Sequence, residues 1–389
     1  MKIVHVWWQL GYGGIETMLV NIANEQLKLG ADVYIVVIND NNEEKLVASL
    51  DKRVHFICLG RRLKSHNPIF IYNYNKVLRE IRPDVIHLHD SRFYTLILNR
   101  ELSRIAVSTL HDLPKGSIRR TDWGHMLPAF LHFREPGNVL YINKIQKVFS
   151  ISKAVRDNLK NKYGVESTVV YNGIKTHMFK QRPNTPCTNT LRIIMVSRLV
   201  HQKKGQDLLI EAVSKLKDKV DVTFVGEGES MDYLIKITAD LGCNDYVHFI
   251  GKQSQSWIVE HMKDFDLFCQ PSRWEGFGLT VAEAMAAKVP VLVSAGQGPA
   301  EVTCENKYGW TFKNGNIEDL ARVISYIHTH YAEALDKAAL AQTHVKENFD
   351  VSITAKKYLE MYKTTIQSMD VKHNMKKKTL KRLYPDIGN

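Results

Sequence analysis

The sequence predicts an α/β protein built from two Rossmann-like domains, each with a doubly wound parallel sheet. Three observations predict this class. The chain has 389 residues, which is too long for one compact core and long enough for two. Short apolar strand patterns alternate with helical patterns along most of the chain. The alternation is interrupted by a polar, proline-containing segment at residues 182–189 and then starts again, so this segment is the predicted linker.

The first domain is predicted over residues 1–181. A buried-type strand at residues 2–8 leads through the glycine turn Gly11-Tyr-Gly-Gly14 into a helix at about 15–29, and a strand at 32–38 completes a β-α-β unit. The turn lacks the G-x-G-x-x-G spacing, but it lies at the carboxyl end of the first strand, where open α/β sheets bind ligands. Further strands are predicted at residues 54–59, 84–89, 105–110, 147–151 and 167–171, with helices at 72–81 and 153–162.

The second domain is predicted over residues 190–350 and repeats the alternation. Its predicted strands are residues 191–196, 220–225, 246–250 and 266–269, and its predicted helices are 206–216, 229–241, 255–262, 280–288, 317–329 and 332–347. Residues 351–389 are predicted to hold a last amphipathic helix that packs back on the first domain, followed by a basic tail. The tail is interpreted as a solvated end, with a patch for anionic lipid as the alternative.

The composition restricts the partners and the cellular setting. The net charge of +12 favours anionic partners such as nucleotide phosphates, phospholipid head groups or nucleic acid. Because the basic residues are scattered and no known binding module is recognised, specific nucleic-acid binding is not expected. The five cysteines form no C-x-x-C pair, which predicts a reducing, cytoplasmic setting without a disulfide framework or a zinc knuckle. No stretch contains the run of about 18 apolar residues that a membrane-spanning helix needs.

Residues 269–290 are predicted to form the centre of the active site. A short buried strand is followed by a glycine-rich turn and an Ala-rich helix. Gly276 and Gly278 let a ligand approach the main chain, and the free N–H groups at the helix start suit a phosphate. The carboxylates of Glu275 and Glu283 could accept hydrogen bonds from sugar hydroxyls. Taken alone, each would more simply be a solvated charge.

The spacing of these residues resembles the C-terminal signature of family 4 of the retaining GT-B glycosyltransferases. The run Glu275-Gly-Phe-Gly-Leu is followed by Glu283-Ala-Met-Ala, with seven residues between the two glutamates. The resemblance covers nearly the whole chain and implies the GT-B arrangement, in which the two domains face each other across a cleft. It also implies transfer of a sugar from a nucleoside-diphosphate donor to a hydroxyl, with retained anomeric configuration and a UDP-sugar as the favoured donor. The implied donor-binding residues of this stretch are Gly276, Phe277, Gly278, Leu279, Thr280 and Glu283.

A second motif joins the first strand of the second domain to its helix and reads Ser197-Arg-Leu-Val-His-Gln-Lys-Lys-Gly. In the family this pattern supplies an arginine and a lysine that neutralise the donor diphosphate, and Arg198 matches the arginine. The family lysine stands directly before the glycine, which matches Lys204. Lys203 keeps the commoner five-residue step from Arg198, so both lysines remain candidates. The simpler alternative is a basic loop on a basic protein.

Two motifs of the first domain also resemble the family pattern. His111 ends the strand pattern Val-Ser-Thr-Leu-His and resembles the family histidine that faces the donor sugar near its reactive carbon. Alone, it could equally be a loop histidine bonded to the backbone. Gly13 and Gly14 match the glycine loop that approaches the diphosphate. Asn172-Gly173 matches the end of the first domain, although Lys175 stands where the family usually has an acidic residue.

The resemblance implies a reaction carried by positioning and charge stabilisation. Arg198, Lys204 and the helix start would stabilise the charge on the departing diphosphate, Glu283 would hold the ribose hydroxyls, and Glu275 a hydroxyl of the donor sugar. The acceptor would attack on the leaving-group face and the donor phosphate would take its proton, so no protein base is required. The implied catalytic residues are His111, Arg198, Lys204 and Glu275.

The implied acceptor is a glycan or a lipid-linked molecule used in the synthesis of a surface polysaccharide or a lipopolysaccharide. The expected location is the cytoplasm, with peripheral contact at the inner face of an anionic membrane. Two alternatives remain, a nucleotide-sugar epimerase of the GT-B fold and a non-catalytic basic binding protein. The nucleotide base is expected to be recognised by backbone groups around Gly226 and Ile250.

Two patterns that imitate metal motifs are weighed against this interpretation. Asp264-Phe-Asp266 is formally a D-x-D motif, but its position before a buried strand favours a surface strand entry. His87 and His89 share one face of a strand near His111, but no metal-ligand spacing accompanies them. No metal and no other cofactor is therefore expected.

Residues 116–140 form an aromatic-rich stretch in the first domain. Apolar side chains recur at helical spacing from Trp123 to Leu131, which predicts a helix with one apolar face. Core packing is the favoured interpretation of that face. An element that contacts the acceptor or a membrane surface is the alternative.

Overall fold

The computed structural model describes residues 1–11, 13–112, 142–216 and 219–383, with side chains described as far as Ser368. The aromatic-rich stretch 116–140 and the side chains of the whole basic tail (373–382) therefore lie outside what the structure describes, and the proposals for them stay predictions. Within the described ranges, no helix is both long enough and apolar enough to cross a membrane.

The first domain is built on a seven-stranded sheet in which every pairing is parallel. The strand order is β3-β2-β1-β4-β5-β6-β7. Apolar β-branched residues dominate the central strands, which are buried on both faces as a helix-covered parallel sheet requires. The strands are β1 (Lys2–Trp7), β2 (Asp32–Asn39), β3 (His55–Arg61), β4 (Val85–Leu88), β5 (Ala106–Leu110), β6 (Lys147–Ser150) and β7 (Thr168–Val169).

The second domain repeats this design with a six-stranded parallel sheet in the order β10-β9-β8-β11-β12-β13. In both sheets the order reverses beside the first strand, and ligands of open α/β sheets bind at such a reversal. Two of the strands, β12 and β13, were not expected from the sequence. The strands are β8 (Leu191–Val196), β9 (Val220–Val225), β10 (Val247–Phe249), β11 (Leu267–Gln270), β12 (Val291–Ser294) and β13 (Trp310–Phe312).

The described helices cover the faces of the two sheets, and local capping explains several of their ends. The Ser152 and Asn316 side chains each accept a hydrogen bond from a first-turn N–H group, and Gly164 ends its helix in the left-handed conformation. In the first domain the helices are α1 (Gly14–Lys28), α2 (Glu44–Ala48), α3 (Ile69–Ile81), α4 (Arg100–Arg104) and α5 (Lys153–Tyr163). In the second they are α6 (His201–Lys204), α7 (Gln206–Ser214), α8 (Met231–Asp240), α9 (Gln255–His261), α10 (Leu279–Ala286), α11 (Gly298–Val302), α12 (Ile317–Thr329) and α13 (Tyr331–Asn348).

The last helix, α14 (Val351–Leu383), lies against α1 of the first domain. Its Tyr358 and Tyr362 are fully buried, and their hydroxyls form hydrogen bonds with Thr109 and His87. The chain enters this helix through a bridge between Ile174 and Asp350. The C-terminal helix is therefore part of the core of the first domain.

Asp266, directly before β11, is a structural residue rather than a metal ligand. The expectation of a surface strand entry is wrong for it, because its side chain is 0% exposed. Arg182 of the linker contacts it at 2.7 Å and Arg192 of β8 at 2.9 Å. Burial alone raises the pKa of this carboxyl, but the hydrogen bonds from Arg192 and Arg182 lower the pKa below its usual value. The buried ion pair fixes one end of the linker to the second sheet.

Candidate active site

The residues predicted to form the site come together where the two domains meet, at the carboxyl ends of their central strands. A Cβ atom on Gly276 would lie 3.0 Å from the carbonyl oxygen of His111. A Cβ atom on Gly14 would lie 2.9 Å from Cδ1 of Leu279. These glycines are therefore positions where the backbone of one domain closely approaches the other.

The turn after β11 presents the start of α10 without a side-chain cap. Gly278 has a φ of 93°, a left-handed conformation that favours glycine, and it precedes the first helical residue. No described side chain accepts a hydrogen bond from the first-turn N–H groups at this end. Such a terminus carries a partial positive charge and can bind an anionic group.

The backbone of this turn is held by two residues that the sequence did not reveal. Gln297 accepts a hydrogen bond from the Glu275 N–H group at 3.2 Å, and the Gly298 N–H group donates to the Glu275 carbonyl at 3.1 Å. A Cβ on Gly298 would lie 2.2 Å from the Gly276 carbonyl oxygen, so no side chain fits there. The run Gly-Gln-Gly-Pro after β12 was the available signal, since it is a second glycine turn at the same sheet edge.

The two adjacent lysines have different partners. Lys204 contacts the carboxylate of Glu275 on the turn after β11. Lys203 contacts Asp112, which belongs to the first domain. Both side chains of the Lys204–Glu275 pair are largely buried, with exposed fractions of 16% and 15%. Lys204 is therefore the lysine that lies against the glycine-rich turn of the second domain.

Arg273 fixes the lysine loop in place, and sequence analysis did not identify it. Its guanidinium donates to both carboxylate oxygens of Asp207 and to the carbonyl of His201. Its N–H group donates to the Lys203 carbonyl at 2.9 Å. The loop then ends at Gly205, where a Cβ would lie 2.1 Å from the Pro271 carbonyl oxygen. These contacts hold the basic loop against the end of β11.

Arg198 is exposed and lies near Glu16 of the first domain. Burial raises the pKa of Glu16, while smaller effects, among them the charge of Arg198, oppose this rise. Glu16 also accepts a hydrogen bond from the indole of Trp7 at 3.2 Å. Arg198 thus faces the start of α1, next to the predicted glycine loop.

Gln270, the last residue of β11, links two of the predicted site residues. Its amide oxygen accepts a hydrogen bond from the Thr280 hydroxyl at 2.8 Å, and its amide nitrogen lies 3.3 Å from Oε2 of Glu275. Gln270 is only 1% exposed. Because this side chain cannot move freely, it orients both the turn carboxylate and the helix start.

Glu283 lies one turn into α10 and is only 8% exposed. Its carboxylate accepts a hydrogen bond from the Gln255 amide at 3.0 Å. Burial raises the pKa of Glu283 to about 7, although the bond from Gln255 opposes this rise. This carboxyl therefore titrates near neutral pH and is not the solvated helix charge of the simpler interpretation.

His111 ends a row of hydrogen-bonded imidazoles inside the first domain. It lies 2.9 Å from His89, measured between Nε2 and Nδ1, and His89 lies 3.0 Å from His5. Burial lowers the pKa of His111 to about 4, so the ring is neutral at pH 7. Its Nδ1 atom is excluded from solvent and has no hydrogen-bond partner in the described part of the chain.

Three histidines of this row lie close enough to hold a metal ion, namely His5, His87 and His89, whose ligand atoms lie within 4.8 Å of one another. Each of their six ring nitrogens already has a hydrogen-bond partner in the protein. The partners of His87 are the hydroxyls of Thr109 and Tyr362, at 2.7 and 2.5 Å. The cluster is therefore satisfied by the protein's own groups.

Comparison with known proteins agrees with this architecture. The family model described as glycosyltransferase family 4 matches residues 12–177, and the model described as glycosyl transferases group 1 matches residues 178–340. A glycogen synthase of Mycobacterium tuberculosis is 25% identical over 301 residues, covering 73% of this chain and 69% of that protein. A poly(ribitol-phosphate) alpha-N-acetylglucosaminyltransferase of Staphylococcus aureus is 29% identical over 227 residues, covering 57% of this chain and 44% of that one.

The fold also matches that of a solved structure. The crystal structure of Anabaena HepE in complex with UDP and glucose matches with a TM-score of 0.76 at 21% identity, over 94% of this chain and 100% of that one. The two family models meet at residues 177 and 178 and together match both domains. The chain therefore belongs to the group 1 glycosyltransferases of the GT-B fold, with a first domain of the family 4 type.

Proposed function

We propose that this glycosyltransferase transfers a sugar from a nucleoside-diphosphate donor, with a UDP-sugar as the favoured donor, to a hydroxyl of a glycan or a lipid-linked acceptor. The observation that carries the proposal is the contact of Lys204 with Glu275 beside the uncapped start of α10. This arrangement places a cation, a helix dipole and a carboxylate at one point of the domain junction. It is supported by HepE, a protein of the same fold that was solved with UDP and glucose.

The diphosphate would be bound by Lys204, Arg198 and the N–H groups at the start of α10. A diphosphate carries more charge than a single carboxylate, so it competes with Glu275 for the ammonium of Lys204. Once released, the Glu275 carboxylate can accept a hydrogen bond from a hydroxyl of the donor sugar. The same ion pair thus keeps both side chains in place before the donor arrives.

The proposed chemistry retains the anomeric configuration and uses no metal. The acceptor oxygen forms a bond to the anomeric carbon while the bond from that carbon to the phosphate oxygen breaks, and the electron pair leaves with the diphosphate. The hydroxyl proton passes to the departing phosphate oxygen on the same face. Arg198, Lys204 and the helix start stabilise the growing charge, which is the role otherwise taken by a metal ion.

Glu283 and His111 would contact other parts of the donor. The Glu283 carboxylate, held by Gln255, would accept hydrogen bonds from the ribose hydroxyls. His111 would face the donor sugar near its reactive carbon, since its backbone adjoins the glycine-rich turn at Gly276. We also infer a role in the synthesis of a surface polysaccharide or lipopolysaccharide in the cytoplasm, with peripheral contact with an anionic membrane. The net charge of +12 supports that contact.

A thermal-shift scan followed by a turnover assay tests the proposal. Purified protein is heated with UDP, GDP, ADP or CMP, each with and without EDTA. A ligand at a hundred times its Kd should stabilise the fold by about 2.7 kcal/mol. The nucleotide that stabilises the protein then selects the sugar donors for an assay of diphosphate release with candidate acceptors. If no nucleotide stabilises the protein, the proposed donor site is wrong. If EDTA abolishes the transfer rate and Mg²⁺ restores it, the enzyme requires a metal ion.

A further inference from the structure

A continuous row of hydrogen bonds runs through the first domain from α1 to the domain junction. The Gln26 amide oxygen lies 2.7 Å from Nε2 of His5, Nδ1 of His5 lies 3.0 Å from Nε2 of His89, and Nδ1 of His89 lies 2.9 Å from Nε2 of His111. Gln26 and His5 are 0% exposed and His89 is 3% exposed. Water therefore has almost no access to the first three members of the row.

When the histidines of the row are neutral, all of their hydrogen bonds must point in the same direction along it. Burial lowers the pKa of His5 and of His111 to about 4, and it lowers the pKa of His89 well below its usual value. A neutral imidazole has one N–H donor and one acceptor nitrogen. Each ring must therefore donate to one neighbour and accept from the other.

The amide oxygen of Gln26 sets this direction, because a carbonyl oxygen only accepts hydrogen bonds. His5 must donate to it from Nε2, which leaves Nδ1 of His5 to accept a bond from His89. His89 in turn accepts a bond at Nδ1 from the Nε2–H group of His111. The consequence appears at the last ring, where Nδ1 of His111 keeps a free lone pair. In agreement with this, Nδ1 of His111 is buried and has no hydrogen-bond partner among the described residues.

We propose that Gln26, His5 and His89 form a positioning relay that holds His111 in the Nε2–H tautomer, so that its Nδ1 accepts a hydrogen bond from a sugar hydroxyl at the domain junction. The inference rests on the proposed function, since it assigns the substrate group that His111 contacts. Gln26, His5 and His89 touch no substrate themselves. They act by fixing the tautomer and the orientation of the ring, as the hydrogen-bonded partners of other functional histidines do.

His87 provides a matched control inside the same cluster. Its ring centroid lies 4.3 Å from that of His89, and it is 0% exposed. However, its nitrogens bond to Thr109 and Tyr362, so it is not a member of the relay. His87→Gln should disturb packing as much as a change in the relay does, without a path by which it sets the tautomer of His111.

The test is a ¹H–¹⁵N spectrum of the full chain labelled in the histidine rings, with the His111 signals assigned from the His111→Gln variant. The wild type should show His111 protonated at Nε2 and unprotonated at Nδ1. Gln26→Leu removes the acceptor, so the Nδ1-protonated form should appear, and kcat should fall by about tenfold with the nucleotide KM unchanged. Gln26→Glu keeps an acceptor oxygen and should keep the Nε2–H tautomer and most of the activity.

Several outcomes would overturn the relay. The wild type could show His111 as the Nδ1–H tautomer, or Gln26→Leu could leave the spectrum and kcat unchanged. His87→Gln could change the His111 signals as much as Gln26→Leu does. Elemental analysis could also find one equivalent of tightly bound zinc. The wild-type spectrum alone decides the direction if a variant fails to fold. Failure of the proposed function would look different, because the wild type itself would then show no nucleotide binding and no transfer.

Discussion

The ammonium of Lys204 contacts the carboxylate of Glu275 within the second domain, whereas the ammonium of the adjacent Lys203 contacts Asp112 across the domain boundary. The sequence matches Lys204 to the family lysine that binds the diphosphate but leaves Lys203 as a second candidate. Their partners separate them, because Lys204 lies beside the start of α10 and Lys203 joins the two domains. Lys204 therefore fits the proposed donor site, whereas Lys203 forms an ion pair between the two domains.

The first prediction concerns this division between the lysines. Lys204→Ala should lower kcat by about a hundredfold, since losing one charged contact to the departing diphosphate costs on the order of 3 kcal/mol. Lys203→Ala should lower it by no more than about fivefold, because a partly exposed ion pair contributes about 1 kcal/mol. Steady-state release of the nucleoside diphosphate measures both. The reverse order of the two effects would show that Lys203 is the donor-binding lysine.

The second prediction concerns Arg198. This side chain is exposed in the cleft, so Arg198→Ala should leave stability nearly unchanged and lower kcat by about a hundredfold. The matched control is Arg322→Ala on the surface of α12, whose partner is Asp319 and whose side chain is 69% exposed. That control should retain full turnover. Near-normal turnover of Arg198→Ala would remove this residue from the donor site.

The fold was predictable because its signals are local. Each β-α-β unit shows an apolar strand pattern, a glycine or polar turn and a helical pattern within about 30 residues. The two missed strands, β12 and β13, have only four and three residues. The restart of the alternation after the linker was enough to indicate the second domain.

The candidate site was predictable only where its residues are close together in sequence. Glu275, Glu283 and Lys204 lie in short motifs that family resemblance identifies. The residues that position them are distant in sequence, so no local pattern reveals them. The partners Arg273 and Asp207 are separated by 66 residues, and those of the pair His5 and His89 by 84. Such pairs are brought together only by the sheet order.

The third prediction concerns the buried pair that anchors the linker. Arg182→Ala should lower the free energy of unfolding by about 3 kcal/mol, because it leaves the Asp266 carboxylate buried with only one guanidinium partner. Arg192→Ala is the matched control. The Arg192 side chain is 48% exposed, whereas that of Arg182 is only 2% exposed, so its loss should cost about 1 kcal/mol. Urea denaturation measures both, and equal losses would show that Arg182 has no special part in anchoring the linker.

The fourth prediction concerns the pH dependence of stability through Glu283. Burial raises the pKa of its carboxyl from 4.5 to about 7, so between these values the folded protein binds more protons than the unfolded chain. The resulting stability is complete below about pH 4.5 and is lost as the pH rises through about 7. The loss should be on the order of 3 kcal/mol by pH 8. Glu283→Gln should lack it, as urea denaturation at several pH values would show.

Nucleotide binding should depend on pH in the opposite sense. Ribose hydroxyls donate more strongly to an ionised carboxylate than to a neutral carboxyl, so the affinity of the wild type should rise as the pH increases through about 7. The 16 histidines titrate in a similar range, and for this reason the difference between the wild type and Glu283→Gln is the informative quantity. Calorimetric titration of both proteins between about pH 5.5 and 8.5 measures it, on either side of the raised pKa. Parallel pH profiles would show that Glu283 does not change its ionisation when the nucleotide binds, and the ribose assignment would then be wrong.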